Sequence, residues 1–227
     1  MTSSKSSDVV GPDVQGFLAF YGAITASATH ELNNVLATVD QVIGLVEDLA
    51  LSQTIQEPGV SEKLLSVVER VMKQSSRGTA LIRQLNTFAH LGDSAATECN
   101  LGSLLDTIAA LTERIAGMRK VQLSTAGLDH QVVVTCNALA LAQVVFLCIK
   151  RALAVTAREE SIAIGLTPDD QGGRISFESS LTDNVSMEPR GDDLMALIED
   201  LGAGLEETVD AGRLRITISI PSRALEP

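Results

Sequence analysis

The stretch Thr25 to Val39, TASATHELNNVLATV, places apolar residues at helical spacing and sets His30, Glu31 and Asn34 among them. Outward from it, apolar side chains recur at Phe17, Ala28, Leu32, Val35, Val39, Val42, Val46 and Leu49, and Leu36 and Ile43 widen the stripe. That spacing predicts one long amphipathic helix reaching about Leu51. Pro58 and Gly59 must break it, so a loop is expected there. Ser61 is the expected cap of a second helix, in which Leu64, Val68, Val71, Ile82 and Leu85 continue the three-and-four spacing. Two helices with stripes this wide cannot cover each other. The usual solution is a four-helix bundle made from two copies, so a homodimer is expected; the alternative is a hairpin that folds back on the rest of its own chain.

Beyond HLGDSAATECN the pattern changes. A helix is expected from Leu101 to about Gly117, a short strand in KVQLSTAG and another in HQVVVTC, where β-branched residues run together. NALALAQVVFLCIKRALAVTA reads as a buried helix, and SIAIGLTP with GRISFESS as a hairpin around DDQGG. Asp193 to Glu206 is expected to be helical, and GRLRITISIP, with strict alternation, to be a closing strand. The fold class is therefore α+β. A disordered tail is expected over 1–12, a helical hairpin over 13–95, and an α/β sandwich with a mixed sheet and helices on one face over 96–227.

The 227 residues carry a formal net charge of −12 and a pI near 4.6, which argues against nucleic acid and anionic membrane surfaces as partners. Cys99, Cys136 and Cys148 are odd in number and form no C-x-x-C pair, so they read as reduced thiols of a cytoplasmic protein. The amino terminus, MTSSKSSDVVGPDVQ, lacks the apolar core of a signal peptide. The apolar run Ala138 to Ile149 is too short to span a bilayer, and no membrane anchor is expected.

With Leu32 and Val39 at heptad position a, and Ala28, Val35 and Val42 at d, His30 falls at f, away from the core. Asn34 follows one turn later on the outward side, and Glu31 flanks the histidine at g. Neutral imidazole is a competent nucleophile near neutral pH. A neighbouring carboxylate can take the proton of one ring nitrogen while the other attacks phosphorus. An amide at i+4 can orient a water toward a phosphoryl group on a partner. A solvated surface helix that carries these residues only for solubility has the same periodicity.

HELNN, with ASAT before it and VLATV after it, resembles the H-box of bacterial two-component sensor histidine kinases. SSRGTALIRQLNTFAH is similar to the second helix of their dimerisation and phosphotransfer domain. The resemblance implies that His30 is the phosphoacceptor, that Glu31 assists transfer and that Asn34 supports phosphatase action. His90 and His130 match no motif and are expected on the solvated surface.

The second half is similar to the kinase ATP-binding domain in its order of elements, but departs from it where nucleotide is held. Counting four and eight residues from Gln143, Leu147 and Arg151 stand where that family places Asn, the second of which binds magnesium. SLTDNVSMEP lacks the glycines of the nucleotide loop, and LGAGL (Leu201 to Leu205) alone can be an ordinary helix terminus. The resemblance then shifts toward histidine phosphotransferases that keep a kinase-like shape without ATP. Their partners are response regulator receiver domains, whose own acidic pocket holds the Mg²⁺, so no cofactor is expected on this chain. An ATP-dependent kinase with a divergent pocket and a non-catalytic regulator-binding scaffold remain the alternatives.

Overall fold

The computed structural model describes residues 14–51, 60–170, 172–182 and 189–222. The expected tail and the Pro58–Gly59 loop lie outside them. Helix α1 (Val14–Leu51) and helix α2 (Val60–Ala89) form the hairpin, running antiparallel so that Phe20 meets Phe88 and Glu31 meets Arg77. Ser61 lies within α2 rather than before it. Ala28, Val35 and Val42 are buried, as inward d positions require, whereas Leu36 and Ile43 stay exposed. On α2 the expected stripe straddles two faces. Val60, Val67, Leu81 and Phe88 point inward, while Val68 and Ile82 join Leu65 and Met72 in solvent. Each helix therefore carries two adjacent apolar faces, and only one of each is used within the chain.

A 3-10 turn (His90–Gly92) leads to strand β1 (Thr97–Asn100), helix α3 (Leu101–Met118), strand β2 (Gln122–Ser124) and strand β3 (Val133–Cys136). Helix α4 (Ala138–Val155), strands β4 (Ser161–Asp169) and β5 (Gly172–Ser180), helix α5 (Asp192–Asp200), and strands β6 (Gly204–Asp210) and β7 (Arg213–Pro221) follow. Asn100 and Asn137 cap α3 and α4, each side chain accepting the backbone N–H three residues on. The five-stranded sheet has the order β2-β4-β5-β7-β6, mixed because β2 pairs parallel to β4 while the other pairs are antiparallel. Alternation in β5 and β7 sends Ile175, Phe177, Leu214, Ile216 and Ile218 to the helix-covered side, and Arg174, Glu178 and Arg215 to solvent.

The helix expected to run to Glu206 stops at Asp200. Gly202, at φ 60°, lets the N–H groups of Gly202 and Ala203 turn back to the carbonyls of Glu199 and Ile198, a Schellman closure that uses part of LGAGL as a helix terminus. The residues after it form β6, because Ala211 and Gly212 both take positive φ and make the tight turn that pairs β6 with β7. The strand in HQVVVTC leaves the main sheet and pairs with β1 in a separate two-stranded sheet, β1 itself having been hidden in a polar segment. Helix α4, 18 residues long and apolar enough by composition to cross a membrane, is 72% buried inside the molecule, where it is the central core helix.

The hairpin does not stand apart. Phe20, Ile24, Ala28, Leu81 and Phe88 belong to one hydrophobic cluster with α3, α4 and the sheet. Phe20 packs edge-on to Phe88 (centroids 5.5 Å apart) and against Phe146 of α4 (5.1 Å), which ties three helices at one point.

His130 lies on the solvated surface, as expected, and is tied there at both ring nitrogens. Nε2 lies 2.8 Å from Asp106 Oδ2 on α3, and Nδ1 lies 3.1 Å from the Leu128 carbonyl. Both partners only accept, so the ring donates twice, as an imidazolium. The Asp106 hydrogen bond raises its pKa above the ordinary 6.5. A raised native pKa means that this contribution to stability is complete below the unfolded value and fades as pH rises through the native one. The melting temperature lost on Asp106→Asn should therefore be larger in mildly acidic buffer than in alkaline buffer. A loss independent of pH would show that the ring is neutral.

Candidate functional site

His30 lies exposed on α1, one turn before Val35 turns inward. Its Nδ1 is 3.3 Å from Nδ2 of Asn34. An amide nitrogen can only donate, so Nδ1 accepts and the neutral ring carries its proton on Nε2. Glu31, rotated toward α2, has Oε1 2.8 Å from Nη2 of Arg77. The three residues singled out in the sequence are thus neighbours on one helix, but the acid is engaged with the opposite helix rather than with the imidazole. The threonines beside them are occupied as well. Thr29 bonds the Thr25 carbonyl at 2.8 Å and Thr38 bonds that of Asn34 at 2.8 Å, which leaves the Asn34 amide as the polar group facing the ring.

Beside this face runs a groove of about 720 Å³ between the hairpin and α3 with β2, whose polar lining includes Glu31, Arg77, Gln84, Glu113 and Arg114. Gln84 and Thr107 join its walls at 2.6 Å. Arg77 lies in the SSRGTALIRQLNTFAH stretch but nothing there singles it out, and nothing singles out Arg114. A basic residue on a helix is ordinary, and only the pairing of α1 with α2 brings Arg77 to Glu31.

The second constellation lies on α4. Arg151 forks onto Glu207 of β6, with Nε to Oε2 at 2.8 Å and Nη2 to Oε1 at 3.1 Å, and its Nη1 reaches the Pro189 carbonyl at 3.3 Å. Arg190 approaches the same carboxylate at 3.7 Å. In the sequence, Arg151 is marked only as standing where the resembling family places a magnesium-binding Asn. The structure instead matches Arg151 with a carboxylate, because β6, unforeseen as a strand, carries Glu207 to it. Cys148, one turn before Arg151, is pushed up to about 12 by burial. Cys99 is also raised, chiefly by a hydrogen bond with the Cys136 thiol and then by burial, so Cys99 and Cys148 are poor nucleophiles.

The sequence matches no family model, and no curated protein matches it. Among solved structures it is similar to the histidine kinase AdeS of Acinetobacter baumannii, at 13% identity and a TM-score of 0.49 over 86% of this chain and 98% of that one. It is similar to a histidine kinase from Burkholderia phymatum at 13% identity and a TM-score of 0.46, over 87% of this chain and 98% of that one. A third, a bacterial phosphotransferase, has 11% identity and a TM-score of 0.47, with 92% of this chain and 98% of that one covered. At these identities the chemistry rests on the residues themselves.

Arg151 and Glu207 are 15% and 9% exposed, so removing one partner strands the other charge. Arg151→Ala should cost about 3 kcal/mol, read as a lower urea midpoint, because a buried carboxylate loses its forked partner. The double variant Arg151→Met with Glu207→Leu should recover most of that loss, since the two buried charges are removed together and Arg190, a third exposed, can turn to solvent.

Proposed function

We propose that this chain is a histidine phosphotransferase of a two-component phosphorelay, in which His30 takes a phosphoryl group from the aspartyl phosphate of one response regulator and passes it to the aspartate of another. The observation that carries this reading is the outward imidazole of His30, with the Asn34 amide on it and the Glu31 carboxylate one residue away, on a helix whose opposite side is packed. In the transfer, the ring first exchanges its Nε2 proton for one on Nδ1; Nε2 then bonds phosphorus, the bond from phosphorus to the receiver carboxylate oxygen breaks, and Glu31 takes the Nδ1 proton. The receiver keeps the magnesium in its own acidic pocket. Asn34 orients a water when the phosphoryl group is hydrolysed instead.

Transfer without ATP is supported by the Arg151–Glu207 pair, which puts a matched ion pair where the resembling family has a magnesium-binding amide. The groove beside Glu31 and Arg77 supports a guiding role for the second half, because alignment of nucleophile and phosphoryl group is a large part of such a barrier. The apolar faces left in solvent, Leu18, Leu36 and Ile43 on α1 with Leu65, Met72 and Ile82 on α2, support a four-helix bundle formed with a second copy.

Radioactive ATP alone should leave the protein unlabelled, whereas a phosphorylated receiver should label it. His30→Ala should abolish labelling without moving the melting temperature, since an exposed side chain adds little packing. Robust autophosphorylation from ATP would overturn the proposal in favour of a kinase. Sedimentation equilibrium should give twice the chain mass of 24.0 kDa. A monomer would mean that the exposed stripe is not a self-interface.

A further inference from the structure

Resting on the reading of His30 as phosphoacceptor, we propose that Arg77 is a positioning residue that sets the tautomer of His30: by holding Glu31 against α2 it leaves the imidazole to Asn34, and release of Glu31 makes Nε2 nucleophilic. In the observed arrangement the only ring lone pair in the plane is on Nδ1, and Asn34 donates to it. Nε2, the ring nitrogen farther from the helix backbone, carries the proton and cannot attack phosphorus. Attack requires that proton to leave Nε2 and Nδ1 to be protonated, with an acceptor beside Nδ1. Glu31 is the adjacent carboxylate on α1, and its oxygen is instead 2.8 Å from Arg77.

The restraint is built into the packing of the hairpin. Gly78, next to Arg77, sits so close to α1 that a Cβ there would lie 3.1 Å from Cγ1 of Val35. That close approach, one turn beyond Glu31, brings the guanidinium of Arg77 within reach of the carboxylate. Side chains at i and i+1 of a helix diverge, so Glu31 does not meet His30 unless it swings away from α2. The other charged side chains on the same groove are Glu113 and Arg114 of α3. The acidic pocket of a receiver would compete with Glu31 for Arg77, so docking itself frees the base.

The test is the ring tautomer in the full-length protein, read from long-range proton–nitrogen correlations in alkaline buffer where imidazole is neutral. With His30, His90 and His130 the only histidines, the His30→Ala spectrum assigns the signal. The wild type should show the proton on Nε2. Arg77→Gln should raise the share with the proton on Nδ1 by about threefold or more, the size one net hydrogen bond commands. Adding Glu31→Gln should cancel that rise, and Arg77→Lys should retain the wild-type ratio. Asn34→Leu, which leaves both helices' packing intact, should raise the same share without touching Arg77. A wild-type ring protonated on Nδ1, or a ratio unmoved in folded Arg77→Gln, overturns the inference. The readout needs no partner. Failure of phosphotransfer with the tautomer shift intact would therefore refute the functional proposal and leave this one standing.

Discussion

The meeting of Phe20, Phe88 and Phe146 fixes the rest of the molecule, because it joins the two hairpin helices to the central helix of the sheet unit in one apolar cluster. Aromatic side chains contribute large buried area with few rotamers, so such a junction is stiff as well as stabilising. Ile24 and Ala28 extend it along α1 to within one turn of His30. The rotation of α1 about its axis is therefore set by what lies beneath it. The histidine faces outward as a consequence of Phe20, Ile24 and Ala28 facing inward.

That coupling gives the hairpin three kinds of surface. One face of each helix closes the intrachain core, a second apolar face on each remains in solvent, and the remaining edge of α1, on the other side of the inner face, carries the polar group His30, Glu31 and Asn34. Glu31 sits nearest the core side, so it reaches α2 and pairs with Arg77. His30 and Asn34, farther around, are left to each other. The groove along α3 begins at the same edge, which places cationic and anionic side chains within a few residues of the imidazole.

In the sheet unit a similar logic operates with charge. Arg151 on α4 and Glu207 on β6 are shielded together, and such a pair is weak as a source of net stability but costly to break. It ties the edge strand to the central helix at the end of the sandwich where Arg190 and the Pro189 carbonyl also converge. The local chemistry is that of a closed ionic link.

Much of this was legible along the chain. The long helices, α3 and α4, the β4–β5 hairpin and the closing strand announce themselves because helical and strand periodicities persist over many residues, and the grouping of His30, Glu31 and Asn34 is a local fact of spacing. Strand β6 was hidden because GLEETVD is short and polar, and it becomes a strand only when the Ala211–Gly212 turn folds it onto β7. The division of each hairpin stripe into an inner and an outer face was hidden too, since Val67 and Val68 are equally apolar and only packing against α1 separates them. The sequence by itself determined which residues lie on the outward edge of α1. Tertiary structure alone decided that Glu31 faces Arg77 and that Arg151 faces Glu207, because a charge finds its partner by proximity in space, and that proximity is set by helix and strand packing between residues far apart in the chain.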